Sequence, residues 1–411
     1  MDVLLRWNDG LAHWCDRRQL ICATRASTVE LVNNRSAANT IVGVVGSGIE
    51  LVYGEHSALL HPLWVRERSR EPGDVDARTA QRLHPPQAVD LGLRVVRCAA
   101  DGDALSIAFS DGSSVVLSVA AVCVDLGWVP DPEAAPMPRL WDAAPDPWPT
   151  VEWESLVSKD VESHRAAIRA IFELGFVVVR GMPCVEGTVG DAARFFGRIA
   201  PTTFGGVFDV VSEPNAVDLA YTSVALAAHS DMPYRRPVPG LQLLHALANE
   251  APGGDSTLVD GFAAVAALRS VDPLGYETLC TLGVDFRYDI GTDAMNHTMP
   301  IIERDYRGEV RCVRFSPRID YAPSAEHATL DHYYRARRWL ADCFDDPARR
   351  AALHLQAGEM IVFDNHRILH GRTAFDPTLG ARHLQGCYVD HDGIYTQWQL
   401  LQRDLMAGDG R

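Results

Sequence analysis

The stretch MIVFDNHRILHGRTAFDPTLGARHLQGCYVD, residues 360–390, contains two apolar runs separated by polar, glycine-containing sequence. The runs MIVFDN and HLQGCYVD are typical of buried strands, because short apolar runs bounded by turn residues favour a sheet. His370 follows the first strand and a turn, and Arg382 lies twelve residues later on the second strand. The stretch therefore predicts two strands of a β-rich domain, each accompanied by a residue suited to binding a ligand.

The flanking sequence predicts the same kind of fold. From residue 240 onward short strand-like runs dominate, such as LQLLHAL, DSTLVDG, VDFRYDI and VRCVRFS, and helices interrupt them at about 261–282 and 324–347. Upstream, VESHRAAIRAIFELG has helical periodicity and stops at Gly175. Many short strands with helices packed outside predict a mainly β fold with flanking helices, of the jelly-roll class.

A proline-rich segment divides the chain. VPDPEAAPMPRLWDAAPDPWPT, residues 129–150, contains seven prolines, a density that excludes a helix or a central strand. It is predicted to be a linker or a wrapping segment between two domains. Before it lies a small β-rich N-terminal domain, residues 1–128, best defined over 41–126; after it lies the larger domain, residues 151–411.

Composition limits the partners that the chain can have. A net charge of −16 argues against nucleic acid or an anionic membrane as a main partner. Nine scattered cysteines with no CxxC pair predict neither a disulfide framework nor a cysteine-built zinc site, and they fit a reducing compartment. No run of 18 apolar residues occurs. These features predict a cytoplasmic protein.

The segment AAHSDMPY, residues 227–234, places His229 and Asp231 two positions apart in an apolar setting. A buried carboxylate is costly unless a positive charge pairs with it, and a metal ion would supply that charge. On a strand end the two side chains would project the same way, because side chains alternate with period two. With His370 they would form the two-histidine, one-carboxylate set of non-haem Fe(II) oxygenases. Arg382 could grip a carboxylate with two parallel hydrogen bonds, as the far end of 2-oxoglutarate requires.

The segments LAYTSVALAAHSDMPYRRPVPGLQLLHALANEAPGGDSTLVDGF and FDNHRILHGRTAF…RHLQGCYVD resemble the γ-butyrobetaine dioxygenase group. These enzymes are relatives of taurine dioxygenase within the Fe(II)/2-oxoglutarate oxygenases. The likeness covers residues 160–400 strongly and 41–126 weakly. It implies a double-stranded β-helix core behind a small N-terminal domain, a homodimer, and an iron enzyme that uses 2-oxoglutarate and O2 and is stimulated by ascorbate.

The resemblance also assigns roles to residues of this chain. His229, Asp231 and His370 would hold iron. Arg382 would bind the distal carboxylate of 2-oxoglutarate, and the hydroxyl of Ser256 and the side chain of Leu244 would complete the co-substrate pocket. The substrate pocket would comprise Phe204, Phe208, Asp218, Tyr221 and Tyr388. Its four aromatic rings would either form a cage for a trimethylammonium group through cation–π attraction or provide an apolar pocket wall.

The chain departs from the group's pattern at three places. The Ser316–Pro317 pair stands where the group often has two asparagines that help to hold a substrate carboxylate. Asp218 stands where a neutral polar residue is common, so an amine is favoured over an anionic substrate end. Ser69, Glu71 and Asp74 occupy the places of the group's N-terminal zinc cysteines, so no zinc is expected there.

The sequence therefore predicts an Fe(II)- and 2-oxoglutarate-dependent dioxygenase that hydroxylates an unactivated C–H bond of a small metabolite bearing an amine or quaternary ammonium. γ-Butyrobetaine hydroxylation and a tailoring step in specialised metabolism are both candidates. A desaturase or a C–C-cleaving oxygenase would share the same iron site. The alternative of another class is a catalytically inactive jelly-roll that binds a ligand, although such a protein would typically have lost a metal ligand or the arginine.

Overall fold

The computed structural model describes residues 40–212, 221–291 and 293–408. The chain divides into two compact units, residues 1–132 and residues 133–411. Residues 1–39 and the substrate-pocket candidate Asp218 lie outside the described part of the chain. Within the described part, every helix is too short or too polar to cross a membrane.

The smaller unit contains two three-stranded antiparallel sheets. Alternate side chains of a strand point inward, so Ile49 and Leu51 of the same strand are both fully buried. In chain order its elements are β1 (Thr40–Val45), β2 (Gly48–Tyr53), β3 (His56–Leu60), α1 (Pro62–Arg66), a 3₁₀ turn (Pro86–Ala88), β4 (Val95–Asp101), β5 (Ala104–Phe109), β6 (Ser114–Ser118) and α2 (Val119–Asp125).

The positions expected to lack zinc are occupied by an ion pair. The Ser69 hydroxyl donates to Oδ2 of Asp74 at 2.6 Å, and the Arg66 guanidinium donates to both carboxylate oxygens of Asp74 at 2.5 and 2.7 Å. These bonds, led by the one from Arg66, lower the pKa of Asp74. The carboxylate that a cation would need is thus already paired, and the absence of zinc stays a prediction.

The larger unit alternates strands and helices. In chain order its elements are β7 (Thr150–Glu152), α3 (Trp153–Val157), α4 (Val161–Leu174), β8 (Phe176–Arg180), α5 (Thr188–Ala193), β9 (Val207–Val211), β10 (Leu226–His229), β11 (Leu241–Asn249), β12 (Ser256–Asp260), α6 (Gly261–Val271), α7 (Pro273–Thr281), β13 (Val284–Asp289), β14 (Ala294–Met299), β15 (Ile302–Arg304), β16 (Val310–Val313), β17 (Asp320–Tyr321), α8 (His327–Asp345), β18 (Ala351–Leu353), β19 (Met360–Asp364), β20 (Ile368–Arg372), β21 (Arg382–Val389) and α9 (Asp392–Gly408).

Two sheets dominate this unit. One has six strands in the order β7-β8-β19-β11-β21-β9, and the other has four in the order β10-β20-β12-β18. Phe176, Phe363 and Leu384 of the six-stranded sheet pack in one buried cluster with Leu258 and Ile368 of the four-stranded sheet. The β-rich core that the sequence predicts is therefore confirmed, with its apolar interior between two sheets.

Helix α4 begins and ends where the sequence indicates. The Asp160 side chain accepts a hydrogen bond from the Ser163 backbone N–H, which caps the first turn. Gly175 ends the helix with φ of 86°, a left-handed conformation that glycine adopts without steric cost. Ile168 and Ile171 lie on the face that the helix buries. The amphipathic pattern thus places α4 against the sheet that contains β8.

The proline-rich segment 129–150 belongs to the larger unit from residue 133 onward and wraps it. Trp141 is buried; its backbone N–H donates to Asp260 and its indole N–H donates to the carbonyl oxygen of Leu174. Arg367, 1% exposed, pairs with the same Asp260 carboxylate at 2.7 Å and donates to a carbonyl of the segment. Because a buried charge needs such partners, this network fixes the segment on the core.

Candidate metal centre and ligand cavity

Two of the predicted ligands face each other across paired strands. His229 is the last residue of β10, and its Cα partner on β20 is His370, so the two ring centroids lie 4.4 Å apart. Asp231 lies beyond the end of β10. His229 and Asp231 thus lie at one strand end, but the strand alternation expected to align them does not extend to Asp231, whose carboxylate is brought to the histidines by the chain beyond β10.

The three side chains converge on one point. Nε2 of His229 lies 3.3 Å from Oδ1 of Asp231, and Nε2 of His370 lies 3.7 Å from Oδ2 of Asp231. All three candidate ligand atoms lie within 4.8 Å of one another. The structure thus brings together two imidazoles and one carboxylate at separations that a single cation could bridge.

The protonation pattern fits a divalent transition metal. Nδ1–H of His229 donates to the carbonyl oxygen of Ala227 at 2.9 Å, which leaves the lone pair on Nε2 facing Asp231. Burial lowers the pKa of His370 to about 3, so its ring is neutral at pH 7. Nδ1 of His370 has no hydrogen-bond partner among the described residues. Two imidazoles and a carboxylate are the donor set that suits non-haem iron.

The carboxylate of Asp231 also has a partner that the sequence did not indicate. The Tyr388 hydroxyl donates to Oδ2 of Asp231 at 2.6 Å, and the Gln242 amide donates to the Tyr388 oxygen at 3.4 Å. Burial raises the pKa of the Asp231 carboxyl, but the rings of His370 and His229 and the Tyr388 hydroxyl outweigh burial and hold the pKa below its usual range. Tyr388, assigned by resemblance to the substrate, therefore contacts a metal-ligand candidate directly.

A cavity of about 510 Å³ opens beside these residues. Every predicted site residue in the described part of the chain lines it: His229, Asp231, His370, Arg382, Ser256, Leu244, Phe204, Phe208, Tyr221 and Tyr388. Tyr234 and Tyr288 line it as well, with rings stacked 4.8 Å apart, and the sequence analysis did not identify them. The position of Tyr234, three residues after Asp231, was the signal that could have identified that ring.

Aromatic rings form a continuous wall of this cavity. Phe208 stacks on Tyr388 with centroids 5.3 Å apart, and Phe204 contacts Phe208 at 6.2 Å and Tyr221 at 6.4 Å. Since Tyr388 also touches Asp231, the wall begins next to the metal-ligand candidates. Rings in this arrangement present both apolar surface and π faces to whatever enters the cavity.

Arg382 is a buried cation that also lines the cavity. Its Nη2 donates to the carbonyl oxygen of Gly254 at 3.3 Å, while its Nε has no hydrogen-bond partner in the described part of the chain. Burial, together with the charge of Arg372, lowers the pKa of Arg382 to about 10, so it stays cationic at pH 7. A Cβ on Gly254 would lie 2.9 Å from Nε, so glycine makes room for the guanidinium. A buried guanidinium that pairs with no described carboxylate is suited to an anionic ligand.

Arg372, two residues after His370, is a further residue that the sequence analysis did not single out. It lines the cavity, and its Nη2 donates to the carbonyl oxygens of Thr222 at 2.6 Å and Val224 at 2.9 Å. It therefore holds the segment that leads from Tyr221 into β10. The HGR sequence at 370–372 carried the signal, because an arginine two residues from a ligand on a strand shares its face.

A second histidine–aspartate cluster lies elsewhere in the same unit. Its members, Asp364, His366 and His391, also have candidate ligand atoms within 4.8 Å of one another. Nε2 of His391 lies 3.3 Å from Oδ2 of Asp364, and Nε2–H of His366 donates to the carbonyl oxygen of Val238 at 3.0 Å. The two rings stack with centroids 4.4 Å apart.

Comparison with known proteins defines the family. Residues 133–388 match the taurine catabolism dioxygenase TauD, TfdA family, and this chain belongs to it. The match covers every residue that lines the cavity and all strands of the two large sheets except the last residue of β21. The family resemblance expected from the sequence is therefore confirmed.

Individual known proteins are also similar to this chain. The chain is 38% identical over 247 residues to a γ-butyrobetaine dioxygenase of Pseudomonas sp. (strain AK-1), which covers 60% of this chain and 64% of that enzyme, slightly under two thirds of its length. It is 28% identical over 267 residues to the γ-butyrobetaine dioxygenase of Homo sapiens, with 64% and 68% covered. A solved asparagine oxygenase in complex with Fe(II), 3-hydroxyasparagine and succinate superposes with a TM-score of 0.46 and 19% identity, over 58% of this chain and 80% of that one.

Proposed function

We propose that this protein is an Fe(II)- and 2-oxoglutarate-dependent dioxygenase that hydroxylates a C–H bond of a small metabolite bearing an amine or quaternary ammonium. One observation carries the proposal: His229, Asp231, His370 and the buried cation Arg382 all line one cavity. Membership of the TauD, TfdA family and likeness to γ-butyrobetaine dioxygenases support the reaction class.

Each part of the cavity has a proposed role. His229, Asp231 and His370 hold the iron, which with 2-oxoglutarate and O2 supplies the oxidising chemistry. Arg382 binds the distal carboxylate of 2-oxoglutarate, and Ser256 and Leu244 line the same part of the cavity. The remaining work of the protein is to hold the substrate C–H bond beside the metal and to exclude water.

The aromatic wall supports a cationic substrate. Phe204, Phe208, Tyr221 and Tyr388 line the cavity, and rings within about 6 Å of an ammonium group attract it through their π faces. Two of the similar proteins are named for γ-butyrobetaine, which supports an ammonium-bearing substrate here. Asp218 joins this set on sequence grounds alone.

We also propose the finer architecture that the resemblance implies. The facing six-stranded and four-stranded sheets support a double-stranded β-helix, or jelly-roll, core. The described cysteines are all free, which supports a reducing, cytoplasmic setting. A homodimer and stimulation by ascorbate rest on likeness to the group.

The test is a substrate panel. Amines, betaines and trimethylated amino acids, γ-butyrobetaine among them, are incubated with the protein, Fe(II), ascorbate and 2-oxoglutarate, and succinate release is measured. We expect at least one compound to stimulate succinate release and to gain one oxygen atom by mass spectrometry. His370→Ala is the control. Stimulated succinate release that persists in this variant would contradict the proposal, and loss of two hydrogens from the product would indicate a desaturase.

A further inference from the structure

The turn that carries Asp231 is held in an unfavourable backbone conformation. Met232, the next residue, has φ of 50°, in the left-handed region that side-chain-bearing residues rarely adopt. Such a conformation persists only when the surrounding structure supports it. The position of the Asp231 carboxylate relative to His229 and His370 therefore depends on whatever holds this turn.

Hydrogen bonds with Phe315 hold Ser230, the preceding residue, and a side-chain amide holds the backbone of Asp231 itself. Oδ1 of Asn365 accepts a hydrogen bond from the backbone N–H of Asp231 at 2.8 Å. Nδ2 of Asn365 donates to the backbone carbonyl of Asp231 at 3.1 Å and to that of Pro239 at 3.0 Å. Asn365 is 0% exposed, so no water competes for these bonds. A single residue thus satisfies both backbone groups of the metal-ligand candidate.

Asn365 is itself fixed to the strands that carry the third ligand. It follows β19 directly and precedes β20, the strand of His370, and its own backbone N–H donates to the carbonyl of Gly240 at 2.8 Å. The amide is therefore a direct connection between the Asp231 turn and the segment that joins β19 to β20. Tyr388, by contrast, donates its hydrogen bond to the side-chain carboxylate of Asp231 and not to the backbone of that residue.

We infer that Asn365 is a positioning residue of the metal centre, whose amide sets the place of Asp231 relative to His370. The inference rests on the proposed function, in which Asp231 is an iron ligand. Without the amide, the turn can relax from the left-handed conformation at Met232, and the carboxylate leaves the point on which the two imidazoles converge.

The test measures metal binding and not turnover. Metal-free protein is titrated with Co(II), and the dissociation constant is obtained by calorimetry and the coordination geometry from the visible absorption. We expect Asn365→Ala to weaken Co(II) binding by about 10-fold or more, as for other partners that orient a ligand, and to change the absorption. Asn365→Asp keeps the shape and the acceptor but loses both donated bonds, so we expect it to weaken binding too.

Asn249→Ala is the matched control. Asn249 is a buried amide of the same unit that donates to the carbonyl of Leu355 at 2.8 Å, and it lies on β11, not in either segment that carries a ligand. Its loss should lower the melting temperature and leave Co(II) binding unchanged. An equal loss of Co(II) affinity in Asn249→Ala would mean general loosening and would overturn the inference.

The remaining outcomes separate this inference from the proposed function. Folded Asn365 variants with the wild-type dissociation constant and absorption would overturn the positioning role while leaving the metal site intact. Failure of both Asn365 variants to fold would assign Asn365 to the fold alone, which also overturns the inference. If wild-type protein bound no Co(II), or bound it equally in His370→Ala, the proposed iron site itself would fail.

Discussion

The two histidine–aspartate clusters found among the described residues have the same composition and nearly the same dimensions. In each, two imidazole centroids lie 4.4 Å apart and one histidine nitrogen lies 3.3 Å from a carboxylate oxygen. They differ in what their nitrogens contact. At the first, a carbonyl takes Nδ1 of His229, and Nε2 of both His229 and His370 faces Asp231, at 3.3 and 3.7 Å. At the second, a carbonyl takes Nε2 of His366, and Nε2 of His391 pairs with Asp364.

Their electrostatic settings differ as well. At the first cluster, burial lowers the pKa of His370 to about 3. Burial lowers the pKa of His391, but the charge and hydrogen bond of Asp364 outweigh burial and leave it raised. The second cluster is thus better described as a His–Asp ion pair with a stacked neighbour. Residue composition and spacing do not distinguish a metal site from an ion pair, because the distinction lies in the partners of each ring nitrogen.

The largest expected effect separates the two clusters by metal binding. His370→Gln should weaken Mn(II) or Co(II) binding by more than about 100-fold, because it removes one of three ligands. This loss exceeds the one typical for removal of a group that only orients a ligand. His391→Gln is the matched change at the second cluster and should retain one metal ion per chain. Calorimetric titration of metal-free protein gives both numbers. Two ions bound by the wild type, with one lost in His391→Gln, would show that the second cluster is also a metal site.

A smaller effect should separate two buried arginines, Arg382 in the cavity of the first cluster and Arg314 in the crevice of the second. Arg382 has no carboxylate partner among the described residues, whereas Arg314 pairs with Glu303. Leaving a buried charge unpaired costs about 2–5 kcal/mol, so Arg382→Leu should weaken 2-oxoglutarate binding by roughly 30-fold or more. Arg314→Leu should leave that affinity unchanged. The measurement is titration of 2-oxoglutarate into each variant with Mn(II) bound, and equal losses in both would remove Arg382 from the co-substrate site.

The sequence was sufficient where the chemistry depends on residue type. His229, Asp231, His370 and Arg382 could be selected because few side chains bind metals or grip carboxylates, and the structure brings all four to one cavity. Likewise the alternation and apolar runs predicted the β-rich core. These features depend on local pattern and on the identity of single residues.

What the sequence could not show depends on tertiary contacts. The turn at Asp231 follows from hydrogen bonds to Asn365, 134 positions away, and an amide carries no sequence signal for such a role. The Tyr388 hydroxyl on β21 reaches Asp231, which follows a strand of the other sheet, so a residue expected at the substrate also contacts a candidate metal ligand. The pairing of Asp364 with His391 joins a strand end to the start of α9. Each depends on which groups meet in the folded chain.

The smallest expected effect tests the ion-pair description of the second cluster through pH. The raised pKa of His391 means that its pairing with Asp364 stabilises the fold fully below the unfolded pKa of about 6.5. That stabilisation is lost as pH rises through the higher folded pKa. Asp364 has a lowered pKa in the folded protein. The stabilisation that its carboxylate contributes is therefore lost only in acid, as pH falls through that lowered pKa. Asp392 also raises the pKa of His391 and Arg311 lowers it.

The pair should therefore make its full contribution in mildly acidic solution and a smaller one in alkaline solution. The free energy of unfolding of wild type minus that of His391→Gln should fall between about pH 5.5 and about pH 8.5, by about 1 kcal/mol or less. Denaturant titrations at both pH values measure it. His327→Gln is the control, since His327 pairs with Asp331 on the surface at 93% exposure and should give a smaller change. A difference that stays constant with pH, or rises, would mean that His391 is not the charged partner of Asp364.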